Sequence, residues 1–285
     1  MTDVRLVVPA ASRLGEGPVW AAAEARLYWF DIKGRRLNWH APARGETGGY
    51  DLPNRASAAA VRTGSGLLLA TEAGLAAFDP TTGSIGMREA FDFGDGFRSN
   101  DGKVDPTGRF WWTTMDDNHG ERPGAIYRTD PDGGTERLLE GIHIPNTVSF
   151  SPDGATLYLA DSRRQSMFAY QTGDLAKVRT FVNTSGQDAT PDGSAVDSDG
   201  YLWNAQWGGG RVVRYAPDGQ IERIVTLPVR QTSSCAFGGP DLTTLYVTSA
   251  WDGLSPDERA VQPLAGGLFA LETGVRGLPI PTFQG

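Results

Sequence analysis

Four polar residues, Glu16, Asn100, Asn146 and Asp192, occupy one position of an internal repeat, each 10–11 residues ahead of a recurring apolar segment. A repeat of this kind can gather side chains that are remote in sequence at a common axis. Two carboxylates and two amides converging there form a hard-oxygen constellation. It suits a divalent cation such as calcium, magnesium or manganese. The chain has little else to bind metal with. Its three histidines, His40, His119 and His143, have no metal-ligand spacing, and Cys235 is the only cysteine. Taken singly, an Asp192-Gly193 pair is an ordinary turn; the recurrence carries the argument.

Arg98 stands two residues before Asn100. On an extended chain, i and i+2 point to the same side, so both are expected to face one channel. A guanidinium there would bind hydroxyls or offset negative charge formed in a reaction. Asp101 alternates away. It either bonds backbone or, in a tight turn, comes back towards the site.

Six segments must position these groups: Leu27–Asp31, Leu67–Thr71, Phe110–Thr114, Leu157–Asp161, Leu202–Gln206 and Leu245–Ser249. They start 40–47 residues apart, the period of a propeller blade. Turn signals such as Asp105-Pro-Thr-Gly108 and Ser151-Pro-Asp-Gly154 precede most of them. An apolar segment lies before each, and another follows most of them. Outer strands are expected near Lys177–Phe181 and Ile221–Leu227. The pattern predicts an all-β fold: a six-bladed β-propeller of four-stranded antiparallel blades, one domain over residues 1–285. The stretch after Leu271 offers no outer strand for the last blade, but Val4–Val8 does. The N-terminal strand is therefore expected to close the ring and cover an otherwise unpaired edge.

The first strand of each blade lies nearest the axis, and its start reaches the channel mouth. In blade order these positions are Glu16, the small Ala56-Ser57-Ala58, Asn100, Asn146, Asp192 and Ser233. Most of the eight tryptophans fall in repeated strands and read as packing residues. Trp207, beside Gly208–Gly210, is a candidate wall of a sugar pocket.

A net charge of −8 argues against nucleic acid. One cysteine permits no internal disulfide and suits a reducing compartment. The opening residues lack the basic start and apolar run of a secretory signal, and no apolar stretch is long enough to span a membrane. A cytoplasmic monomer or weak dimer is expected.

Several motifs, read together, resemble the regucalcin, gluconolactonase and sugar-lactone hydrolase family. They are Leu14-Gly-Glu-Gly-Pro-Val-Trp20, Tyr28-Trp-Phe-Asp-Ile32, Arg98-Ser-Asn-Asp-Gly-Lys-Val-Asp105, Pro145-Asn146, Pro191-Asp-Gly193 and Gly238–Val247. The resemblance implies one divalent ion, with calcium, magnesium, manganese, zinc and iron(II) all compatible. It implies Glu16, Asn146 and Asp192 as its ligands, and Arg98 and Asn100 as substrate contacts. It implies Asp192 as general base and a lid formed by Met115–Glu121. The chain departs from the family at Asn146-Thr147, where many members have Asn-Gly. A bulkier neighbour there is expected to trim the pocket.

The expected reaction is hydrolysis of a sugar lactone to the aldonic acid, with Asp192 taking the proton of the attacking water. A carboxylate that is both ligand and base holds a proton less readily, a tension the residues leave open. Two alternatives share the scaffold: an esterase or organophosphate hydrolase, and a non-catalytic calcium-binding propeller.

Overall fold

The computed structural model of the protein describes residues 3–285. Its strands form six four-stranded antiparallel sheets, the blades of a β-propeller. Five blades are built in chain order. The sixth combines Thr232–Gly238, Thr244–Ser249 and Leu268–Glu272 with the N-terminal strand Val4–Val8 on its outer edge. Val4 pairs with Leu271 and Leu6 with Phe269, so the chain's first strand closes the ring as expected.

The second strand of each blade shows why these sequences form this fold. Alternate side chains of a strand point to opposite faces. Leu67 and Leu69 pack against blade one, while Leu68 and Ala70 pack against blade three. Phe110 and Trp112 face blade two, and Trp111 faces blade four. Leu157 and Leu159 face blade three, and Tyr158 and Ala160 face blade five. Both faces of each such strand are buried, so the sequence reads as a continuous apolar run and not as an alternation. The core is accordingly six apolar clusters, one at each blade junction. Each fully buried Leu or Phe contributes roughly 1.5–3 kcal/mol.

The turns ahead of these strands serve the core as well. Asp105 accepts hydrogen bonds from the backbone of Thr107 and Arg109, and from Trp111 Nε1 at 2.8 Å. Asp197 repeats the arrangement on Trp203 Nε1, also at 2.8 Å. A short helix, Pro256–Ala260, is held by a capping box on Ser255. The expected outer strands are present as Asp174–Asn183 and Ile221–Thr226.

No periodicity or motif signals the path of the C-terminal tail. It crosses the channel end remote from the loops after the second strands. Gly277 bridges to Asp197, and the fully buried Phe283 bridges to Arg62.

Removing residues 1–9 takes a hydrogen-bonded strand and its apolar side chains from the last blade. We expect a loss of about 5 kcal/mol, or about 10 °C in melting temperature, in one cooperative transition seen by calorimetry. An unchanged melting temperature would refute the closing role of this strand.

Candidate active site

The innermost strands are Gly15–Ala21, Ala56–Val61, Phe97–Val104, Pro145–Phe150, Thr190–Val196 and Thr232–Gly238. Each touches the next around the ring, the last touching the first. Each also carries one extra residue relative to its neighbour. Glu16 pairs with Phe30 but Val19 with Tyr28; Asn146 pairs with Ala160 but Ser149 with Tyr158; Pro191 pairs with Gln206 but Ser194 with Asn204. Blades two, three and six slip in the same place. A bulge bends its strand and re-aims a side chain. Here it stands at or beside Glu16, Asn100, Asn146 and Asp192.

All four side chains are buried, as are Arg98 and Asp101. They form a connected group. Arg98 Nη1 donates to Asn100 Oδ1 at 2.7 Å, and Asn100 Nδ2 donates to Asn146 Oδ1 and to the Pro145 carbonyl, both at 2.9 Å. Asn146 Nδ2 donates to Ser162 Oγ at 2.8 Å, and Ser162 in turn donates to the Pro191 carbonyl at 2.6 Å. This chain of bonds ties blades three, four and five together at the mouth. Asn100 thus links Arg98 to Asn146.

Glu16 and Asp192 come from blades one and five, and the charge of Glu16 acts on Asp192. Burial, and then the negative charge of Asp101, pushes the Glu16 carboxyl up from its ordinary 4.5 to about 8, against the pull of the Gly17 N–H and Arg98. Burial raises Asp192 well above its usual range, and Glu16 and Asp101 raise it further. Asp101 is also raised by burial, although Lys103 and backbone donors favour its charge. Its carboxylate accepts from Gly102 N at 2.7 Å and Val148 N at 2.9 Å. Of the two readings left open for Asp101, the structure has both: it bonds backbone and its charge reaches the site. Ser233 instead bonds the Gly15 carbonyl and Thr248, stitching blade six to blade one. Gly17, at φ +55°, leaves room for the neighbouring strand: a Cβ there would lie 2.0 Å from the Ser57 carbonyl oxygen.

Lys103 sets the depth of the site. Its ammonium reaches past blade four and donates to the Ser194 carbonyl of blade five at 2.9 Å. On one side lie the carboxylates. On the other lies a largely apolar cavity of about 400 Å³, lined by residues such as Val19, Val61, Val104 and Phe237 and closed by Leu278–Pro281 of the tail. None of the predicted site residues lines that cavity.

At the opposite end from that cavity, the loop Met115–Glu121 is pinned beside Arg98. Asp117 accepts from Arg98 Nε at 2.6 Å and from Arg55 Nη1 at 2.7 Å. Burial opposes the Asp117 charge, but Arg98 and other nearby cations hold its carboxyl below the usual range. His143 Nδ1 lies 2.7 Å from the Gly120 carbonyl, and Arg163 donates to the His119 carbonyl at 2.7 Å. Sequence reasoning missed Asp117, Arg55 and Ser162, since their partners come from other blades and no spacing rule joins them. Trp207 is partly buried against a cluster that includes Leu14 and Ala250.

Among the described residues, no group of three or more His, Cys, Asp and Glu side chains has metal-holding geometry. A cation at this mouth would take Glu16 and Asp192 with a third ligand from an amide, Asn146 Oδ1. That oxygen accepts one hydrogen bond and keeps a lone pair. The donor set fits a hard divalent ion. Two buried carboxylates that repel one another, with no salt bridge to either among the described residues, form a pair that positive charge would relieve.

Residues 14–251 match the SMP-30/gluconolactonase/LRE-like region. The chain belongs to that family. It is 37% identical to the 6-deoxy-6-sulfogluconolactonase of Pseudomonas putida over 99% of both chains. It is 39% identical to the L-arabinolactonase of Azospirillum brasilense, over 98% of this chain and 95% of that one. Among solved structures, a calcium-binding protein, regucalcin, from Agrobacterium tumefaciens superposes with a TM-score of 0.94 at 34% identity, over 99% of this chain and 98% of that one. The similarity covers nearly the whole chain and so all six blades.

The raised carboxyls have a consequence for stability. Between pH 4.5 and about 8 the folded protein holds a Glu16 proton that the unfolded chain has released. Stability without bound cation therefore falls as pH rises through that window. With EDTA present, we expect a loss on the order of a few kcal/mol from pH 5 to pH 8, and a shallower slope in Glu16→Gln. Chemical denaturation at several pH values measures it; parallel profiles for the two proteins would contradict the assignment.

Proposed function

We propose that this protein hydrolyses a sugar lactone to its aldonic acid, using a divalent cation held by Glu16, Asn146 and Asp192. The observation that carries the reading is the burial of Glu16 and Asp192 together at one channel mouth, beside Asn146 and Arg98. The names of the relatives support the reaction class: two are lactonases, and a third is a pentonolactonase of Haloferax volcanii at 36% identity. The Agrobacterium neighbour, described as calcium-binding, supports the cation. The small-molecule substrate is then a sugar lactone, with no role for nucleic acid.

When bound, the cation supplies Lewis acidity that polarises the lactone carbonyl. The remaining work falls to side chains. Asp192 is the candidate general base for the attacking water. Its proton affinity is raised by burial and by Glu16, which favours proton capture; a cation on the same carboxylate lowers it again. Arg98 is held from behind by Asp117 and from the side by Asn100, so its guanidinium is fixed before substrate arrives. Fixed charge of this kind steadies negative charge developing on the carbonyl oxygen without reorganisation. Asn100 already bonds Arg98, Asn146 and the Pro145 carbonyl, so its contribution to substrate goes largely through those partners. The loop Met115–Glu121 supplies Asp117, which braces Arg98.

The test is to strip the protein with chelator, add back single divalent ions, and follow acid release from a panel of aldonolactones beside aryl esters. Activity should vanish on stripping, return with at least one ion, and favour the lactones. Asp192→Asn should lower kcat by about 10²–10⁴-fold. Cation uptake without turnover of any ester or lactone would favour the calcium-binding reading instead. Near-normal turnover by Asp192→Asn would remove the base assignment.

A further inference from the structure

Thr147 is fully buried and has φ +64°, in the left-handed region. A β-branched residue rarely adopts that conformation, and such residues persist only where their surroundings fix them. The repeat provides an internal comparison. In blade one the residue after Glu16 takes the same conformation, at φ +55°, but is the glycine Gly17. In blade four the residue after Asn146 takes it as threonine. The backbone requirement is shared, and glycine meets it without strain. What Thr147 adds is a side chain.

That side chain is fully engaged. Thr147 Oγ1 donates to the main-chain carbonyl of Asp192 at 2.5 Å, and accepts from Ser194 Oγ and Asn204 Nδ2, each at 3.2 Å. Asn204 Nδ2 also bonds the Asp192 carbonyl, at 2.9 Å. On the other side, the Thr147 backbone N–H favours the charged form of Asp101 in blade three. One residue therefore touches the strand of Asp192, adjoins Asn146, and supports the acid next to Asn100. It sits in the bulge that aims Asn146 into the channel.

We propose that Thr147 is a positioning residue: its hydroxyl fixes the separation between Asn146 on blade four and Asp192 on blade five. The inference rests on the reading of those two residues as cation ligands. Groups that orient metal ligands from behind commonly change affinity by 10–100-fold when removed. Glycine at this position should relax the backbone and release Asp192. Serine should keep the hydroxyl while losing only the methyl group.

The experiment compares wild type, Thr147→Gly and Thr147→Ser after chelator treatment, titrating each with calcium and with manganese by calorimetry. Melting curves in EDTA establish that each is folded. Thr147→Gly should bind at least one of the two ions about tenfold or more weakly, and Thr147→Ser within about threefold of wild type. Wild-type affinity in Thr147→Gly would overturn the proposal. So would an equal loss in Thr147→Ser, which would assign the effect to packing of the methyl group. Absence of ion uptake by wild type would instead overturn the cation reading, and this inference with it.

Discussion

Closing six blades into a ring brings their innermost strands to one axis, and the side chains at the strand starts must share a small, poorly hydrated mouth. Two like charges about 5 Å apart at an effective dielectric constant of about 20 repel by about 3 kcal/mol. This protein places Glu16, Asp101 and Asp192 within electrostatic reach of each other there. Much of the surrounding structure answers that repulsion. Backbone N–H groups of Gly102 and Val148 hold Asp101, Lys103 spans the channel beneath, and Arg98 stands beside Asn100. Glu16 and Asp192 have only partial compensation, from Arg98 and from the Gly17 and Gly193 N–H groups, and neither forms a salt bridge among the described residues. The proposed cation would relieve such a pair.

The apolar junctions make this arrangement tolerable. Because each second strand is buried on both faces, blade position is set by packing over the whole radius, not by the polar mouth. The mouth then behaves as a preorganised site. Its bonds run across blades, from Arg98 through Asn100 and Asn146 to Ser162 and the Pro191 carbonyl. Displacing one blade would break several of these bonds at once.

The architecture was legible because its signals are local and repeated. Strand composition, turn chemistry and a period of 40–47 residues report the blades, and the missing last strand pointed to Val4–Val8. The placement of Glu16, Asn100, Asn146 and Asp192 together was legible for the same reason: they share a repeat position. What was not legible depends on contacts between blades. Asp117 meets Arg98 of its own blade and Arg55 beside blade two only in the assembled ring. Asp101 could be placed only once the bulge between Ser99 and Gly102 was known. Thr147 looked like a bulkier neighbour that trims the pocket, whereas its hydroxyl points to the backbone of Asp192. The tail across the far channel end follows from Phe283 finding a buried seat, which no periodicity encodes.

In the proposed site, Glu16 and Asp192 share one cation. Carboxyls raised by burial and by neighbouring carboxylates must release protons when a cation binds. Calcium or manganese titration of the stripped protein at pH 7, in two buffers of different ionisation enthalpy, counts those protons directly. One ion should bind per chain, with release of roughly half a proton or more. No uptake, or uptake with no proton exchange, would contradict it.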